Sequence, residues 1–214
     1  MKLSAIVLDL DGTLLNTLKD LNAACNYALR LYRYEPITLE ETRQFIGNGI
    51  HRLIERALKG RREYEEEVFT AFKAYYHTHY SRYTVPYAGV EEFLFYCREH
   101  KIKTAVLSNK EQSILDLLCA KHFPNTFELV VGERPGLRKK PATDGLELIC
   151  RELSVRMEDI LYIGDSDVDV KTAANAGCHG AFVSYGFRHE EELRAAGAEL
   201  VFPSLPKIIE ELGV

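Results

Sequence analysis

No stretch of this sequence approaches the roughly 20 consecutive apolar residues that a membrane span needs, and no segment repeats or falls to low complexity. The five scattered cysteines, Cys25, Cys97, Cys119, Cys150 and Cys178, contain no Cys-x-x-Cys pair. Their odd number and wide spacing speak against a disulfide framework or a zinc site, and for reduced thiols in a cytoplasmic protein. The first residues lack an apolar signal-peptide core, because the run from Ile6 to Leu8 is soon broken by Asp9. His77 and His79, two apart on an expected helix, do not share a face, so no histidine metal site is expected. Positive charge is in deficit: 27 Lys and Arg against 32 Asp and Glu give a formal net charge of -5. That balance disfavours general adhesion to nucleic acid or to an anionic membrane.

What is present suits a globular α/β chain. Its 214 residues, 46% apolar and 28% charged, allow one sizeable core and a smaller second unit. After Thr13 the apolar spacing turns helical: Leu18, Leu21, Cys25, Ala28, Leu29 and Tyr32 share a stripe, with Thr17 and Asp20 as an expected capping box. Thr38 and Glu41 predict a second box ahead of Phe45 and Ile46. The break Gly47-Asn48-Gly49 opens a third helix carried by Ile50, Leu53, Ile54, Ala57 and Leu58, and Gly60 stops it. A longer helix is expected over 63–82, with Tyr64, Val68, Phe72, Tyr75 and His79 along one side and the acidic run Glu65-Glu66-Glu67 solvated near its start.

From Pro86 strands and helices alternate. Strands are expected over 102–107, 127–131, 160–164 and 181–184, with a short edge strand at 199–202. Helices are expected around Val90 to Cys97, Ile114 to Leu118, Leu146 to Leu153, Lys171 to Ala176 and Leu205 to Leu212. Such alternation argues for a parallel sheet covered on both faces. A purely helical segment in the middle of a βαβ repeat reads as an insertion, so residues 16–83 are assigned to a helical cap, and 1–15 with 84–214 to the α/β core.

The chemistry centres on Ile6-Val7-Leu8-Asp9-Leu10-Asp11-Gly12-Thr13-Leu14, an apolar run that ends in acids, as a buried parallel strand does when its carboxyl end carries a site. Asp9 and Asp11 are two apart and would share a face; one can attack while the other handles protons. The plain alternative is a strand ending in an Asp-Gly turn. Three later features bear on the choice: Ser108 after Lys103 to Leu107, Lys140 before Pro141, and Asp165 in Gly164-Asp165-Ser166-Asp167-Val168-Asp169. Each alone has a bland reading, respectively a helix N-cap, a surface lysine and a turn. Taken in order with Asp-x-Asp-Gly-Thr, they resemble the four motifs of the haloacid dehalogenase superfamily over nearly the whole chain.

That resemblance implies a doubly wound, Rossmann-like parallel sheet with the first strand central, bringing Asp9, Ser108 and Asp165 to one crevice while Lys140 reaches in from the loop after the third strand. It implies hydrolysis of a small phosphomonoester with Mg²⁺ held by Asp9, Asp165 and the Asp11 backbone carbonyl, the oxygen donors this ion prefers. Asp9 would be the nucleophile forming an aspartyl-phosphate, and Asp11 the acid and then the base. Ser108, the Asn109 backbone N–H and Lys140 would hold the phosphoryl group, with Lys140 also restraining Asp9. Asp169 would support metal-bound water, and Asp167 would be part of a turn. One departure is noted: the family often has a second proline soon after Lys-Pro, where this chain has Ala142-Thr143 and Thr143 could cap the helix instead.

Asp11 separates the chain from the dehalogenases, which lack that acid and need no Mg²⁺. The stretch from Phe45 to Leu58 is similar to the cap of phosphoglycolate phosphatases, with Gly47, Asn48 and Gly49 bringing backbone close to a ligand and Arg52 and Arg56 as cations for a substrate carboxylate. The alternative for the glycines is turn geometry, and for either arginine a surface pair with Glu55 or Glu63. Pyrophosphatase, nucleotidase and β-phosphoglucomutase-like chemistry share the same core motifs. A receiver module phosphorylated on Asp is disfavoured, because there the acceptor typically ends the third strand. The expected partner is a small phosphorylated metabolite rather than nucleic acid or membrane, and the expected state a monomer or homodimer.

Overall fold

The computed structural model describes residues 3–213; residues 1, 2 and 214, which the sequence assigns to the core, lie outside the described residues. Strand β1 (Ala5–Leu8) is buried along its whole length because its side chains serve two layers at once. Ala5 and Val7 point into a cluster with Ala105, Leu146, Ile149 and Tyr162, and Ile6 and Leu8 into another with Val106, Leu161 and Ile163. This is the pattern of a central parallel strand, and it explains why the sequence runs apolar without alternation.

Parallel partners lie on both sides of β1: β4 (Lys103–Glu111) and β6 (Ile160–Gly164). With β5 (Leu129–Glu133), β7 (His179–Val183) and β8 (Val201–Phe202) they form one sheet in the order β5-β4-β1-β6-β7-β8. The winding reverses at β1, so the crevice beyond its carboxyl end is where a doubly wound sheet binds ligands. Helices α5 (Val90–Glu99), α6 (Gln112–His122), α7 (Asp144–Leu153), α8 (Asp167–Ala176), α9 (Glu190–Ala195) and α10 (Leu205–Leu212) complete the layers.

A two-stranded antiparallel ribbon, β2 (Leu15–Asn16) with β3 (Val85–Pro86), brackets a helical insert of α1 (Leu18–Leu31), α2 (Leu39–Phe45), α3 (Ile50–Ala57) and α4 (Glu65–His79). Thr38 and Glu41 form the reciprocal capping box at the start of α2. The expected Thr17–Asp20 box does not form. The Asp20 carboxylate is buried and instead accepts from the Tyr83 and Thr84 N–H groups and from the Thr84 hydroxyl at 2.7 Å, tying the insert's entrance to its exit. Two more local expectations shift. The buried stripe of α4, where it packs on α1, is Val68, Phe72 and Tyr76, not a line through Tyr75 and His79; Tyr75 stacks at the edge on Tyr27 and His79. Thr143 stands at the N-cap of α7 without a side-chain cap bond, its hydroxyl going to Glu147.

Candidate active site

The chain leaves the sheet just past Leu8. The Asp9 N–H still donates to Ile163 at 2.9 Å, after which the Leu10 carbonyl accepts from the Thr13, Leu14 and Leu15 N–H groups in a tight reversal. Gly12 makes that turn with φ of 88°, and a Cβ there would collide with the Asp165 carboxylate. Glycine is therefore required both by the backbone and by the close approach of the two motif loops. On β4 the pairing with β5 is regular up to Leu107 and resumes only at Glu111. An irregular stretch of this kind re-aims side chains beside a site. Ser108, Asn109 and Lys110 are buried in it, so Ser108 is not a helix cap.

Four charged side chains, Asp9, Asp165, Asp169 and Lys140, meet at this end of the sheet. Lys140 Nζ lies 3.0 Å from Asp9 Oδ2, 2.7 Å from Asp169 Oδ1 and 3.0 Å from the Tyr162 hydroxyl. The lysine is seated by Asn109, whose side-chain amide exchanges two hydrogen bonds with the Lys140 backbone at 2.8 and 3.1 Å. Asp169, at the start of α8, also accepts from the Tyr162 hydroxyl and, in a capping box, from Ser166. Asp165 takes the Thr13 hydroxyl on one oxygen at 2.9 Å and the Phe187 N–H on the other at 2.7 Å. Asp167, expected in a turn, opens α8 and pairs with Lys171.

Carboxylate oxygens of Asp9, Asp165 and Asp169 lie within 4.8 Å of one another. Burial pushes Asp9 up to about 7, with Lys140 opposing and the Asp169 and Asp11 charges adding to the rise. Burial, with the Asp169 and Asp9 charges, holds Asp165 well above the carboxylate range. Burial would raise Asp169 too, but Lys140, Ser166 and Tyr162 hold it low. Three buried acids around one lysine are short of positive charge, and an all-oxygen donor set of this kind fits a hard divalent cation.

Asp11 faces away from this cluster. It accepts from the Thr17 hydroxyl at 2.7 Å and from Lys110 Nζ at 3.0 Å on both oxygens. Burial acts against the Lys110 charge, but Asp11 holds the ammonium above the usual lysine range.

The cap closes the other side of a small cavity of about 50 Å³, room for about four waters. Its floor is Asp9, Asp11, Ser108, Asn109, Lys110 and Ser166, and its roof is Leu21, Ile46, Gly47, Gly49, Ile50 and Leu53. Gly47 and Gly49 both have positive φ and approach the site as backbone. The two arginines expected to meet a substrate carboxylate are turned elsewhere. Arg52 is 61% exposed and pairs with Glu55, which is within reach one helical turn away. Arg56 donates to the Phe45 carbonyl at 2.7 Å and to Asn48 Oδ1 at 2.9 Å, so it shapes the Gly47 loop, and Asn48 is spent on that bond.

Several site residues escaped the sequence-level reading. Lys110 is the foremost: it directly follows Ser108-Asn109, on the part of β4 that continues past the expected end at Leu107 to Glu111. Tyr162 read only as a core strand residue. Arg188 donates to the Arg43, Gln44 and Ile46 carbonyls, and Arg43 returns a bond to the Phe187 carbonyl, docking the cap beside the Asp165 partner Phe187. No local motif marks either arginine.

The sequence profile of the haloacid dehalogenase-like hydrolases matches residues 6–183. Phosphoglycolate phosphatase 1 of Pseudomonas aeruginosa is 31% identical over 213 residues, spanning 95% of this chain and 78% of its own. Phosphoglycolate phosphatase of Nitrosospira multiformis is 31% identical over 212 residues, covering 96% and 93%. A crystal structure from Lactobacillus delbrueckii subsp. bulgaricus superposes with a TM-score of 0.95 at 30% identity, over 98% of each chain. The chain belongs to the haloacid dehalogenase-like hydrolases and is a phosphoric monoester hydrolase resembling the phosphoglycolate phosphatases.

Proposed function

We propose that this hydrolase cleaves a small acidic phosphomonoester, 2-phosphoglycolate first, through an aspartyl-phosphate on Asp9 and with Mg²⁺ as its metal. The observation that carries the proposal is the Asp9 carboxylate at the end of the central strand, with Lys140 at 3.0 Å, Ser108 on the flanking strand β4 and Asp165 just past the end of the other flanking strand, β6. An Asp9 oxygen forms a bond to phosphorus as the ester P–O bond breaks, and Asp11 gives its proton to the departing oxygen. Water then bonds to phosphorus, Asp11 takes its proton, and the Asp9–phosphorus bond breaks. To serve both halves, Asp11 must turn from Thr17 and Lys110 toward the cavity that it already lines.

Ser108, the Asn109 N–H and Lys140 hold the phosphoryl oxygens, and Lys140 keeps Asp9 ionised and aimed. Asp9, Asp165 and the Asp11 backbone carbonyl would hold Mg²⁺, while Asp169 fixes Lys140 and the metal's surroundings. When bound, the ion supplies the positive charge that three acids and a phosphate dianion lack. The insert 16–83 acts as a lid on the core 1–15 and 84–214, excluding water and limiting substrate size.

A panel of phosphorylated metabolites assayed with Mg²⁺ tests the proposal. Turnover of 2-phosphoglycolate well above that of p-nitrophenyl phosphate, abolished by EDTA and restored by Mg²⁺, is expected. Faster turnover of pyrophosphate, a nucleotide or a sugar phosphate would replace the substrate assignment, and full activity after exhaustive chelation would remove the metal.

A further inference from the structure

An acidic substrate needs a cation near the ester oxygen, and neither Arg52 nor Arg56 supplies one. Among the described residues that wall the cavity, a side-chain cation is carried by Lys110 alone. Its side chain is 3% exposed, its ammonium sits 3.0 Å from both Asp11 oxygens, and the Tyr76 ring from the cap covers it at 4.9 Å. Tyr76 itself is buried, and its hydroxyl interacts with the same ammonium. We infer that Lys110 is the specificity-determining residue that receives the substrate's own carboxylate. The inference rests on the proposed 2-phosphoglycolate chemistry and deepens it.

The geometry follows from covalent lengths. In 2-phosphoglycolate the carboxylate is separated from the bridging oxygen by one methylene, which puts the acid oxygens roughly 3–4 Å from the oxygen that departs. Asp11 must reach that departing oxygen, and Lys110 is one hydrogen bond from Asp11. The substrate acid is thereby delivered to the ammonium. As Asp11 turns inward it gives up contact with Lys110, and the incoming carboxylate takes the vacated donors. The aliphatic side chains of the roof, Leu21, Ile46, Ile50 and Leu53, offer an acid no partner, so an anion pressed against them would be desolvated without compensation. Tyr76 comes from α4, so the cap holds the ammonium in place when it is closed.

The test compares kcat/KM for 2-phosphoglycolate and for ethyl phosphate, which lacks the acid, in the wild type, Lys110→Met and Lys110→Arg. Calorimetric binding of 3-phosphonopropionate against propylphosphonate provides a readout free of turnover. Wild-type protein should prefer the acid-bearing member of each pair. Lys110→Met should shrink that preference at least about tenfold, and Lys110→Arg should restore part of it. Should Lys110→Met not fold, Lys110→Gln is measured in the same way. Equal loss on both members of each pair would overturn the inference and leave Lys110 as a holder of Asp11 alone. A wild type without preference for the acid would instead remove the substrate proposal, and the inference with it.

Discussion

The two walls of the cavity are built on opposite plans. Behind the floor, Asp9 joins Asp165, Asp169 and Lys140 in a buried charge network in which Lys140 bonds both Asp9 and Asp169 and every acid has a named donor. The roof is aliphatic, with Leu21, Ile46, Ile50 and Leu53 facing the same space and two glycines presenting bare backbone. Dense charge fixes a reaction, because each group is held within a hydrogen bond of its working position. Apolar cover selects by size and by excluding water, and leaves recognition of charge to Lys110, the one side-chain cation among the described residues that wall the cavity. Damage to the charge network should therefore show in kcat, and in stability where it strands a buried charge, and damage to the roof in KM and substrate choice.

The largest separation should come from Asp9→Asn, which removes the proposed attacking oxygen yet leaves the volume unchanged. Turnover is expected to fall by roughly 10⁴-fold or more, with a thermal midpoint close to wild type in a melting curve. Equal activity and stability losses would instead make Asp9 structural. Lys140→Met comes next, since it strands Asp9 and Asp169 without their cation. A stability loss of about 3–5 kcal/mol in urea unfolding is expected, whereas a neutral result would show that the network relaxes freely.

A smaller effect separates the proposed metal ligands from their neighbours. Saturating Mg²⁺ should raise the wild-type melting temperature by a few degrees, about 2.7 kcal/mol at a hundred times its dissociation constant. In Asp165→Asn the shift should nearly vanish; persistence would move the ion elsewhere. The roof comes last. Arg56→Ala frees the Gly47 loop and should raise KM several-fold, while Arg52→Ala, an exposed pair, should change kcat/KM by less than about twofold. The reverse order would put Arg52 in the site after all.

The same contrast decided what could be seen in the sequence. Floor residues sit at or just beyond the ends of strands, so an apolar run followed by an acid, a Ser-Asn or a Gly-Asp marks each one locally, and the parallel sheet brings the ends together. The role of Asp20 is not legible locally, because its partners Tyr83 and Thr84 lie 63 and 64 residues away. Rotation of α4 by a single position exchanges Tyr75 for Tyr76, a difference that periodicity does not resolve but that decides which ring meets Lys110. Whether an arginine on α3 turns toward a cavity or toward Glu55 depends on packing of the finished fold, as does the irregular stretch that carries Lys110 into the site.

The central claim is that Asp9 accepts the phosphoryl group before water does, and the stereochemical course at phosphorus tests it most directly. With a substrate made chiral by oxygen isotopes and sulfur, each in-line displacement inverts the centre, so two displacements return the original configuration. Net retention is the predicted result. Net inversion would mean a single displacement by water, and would contradict the covalent step at Asp9.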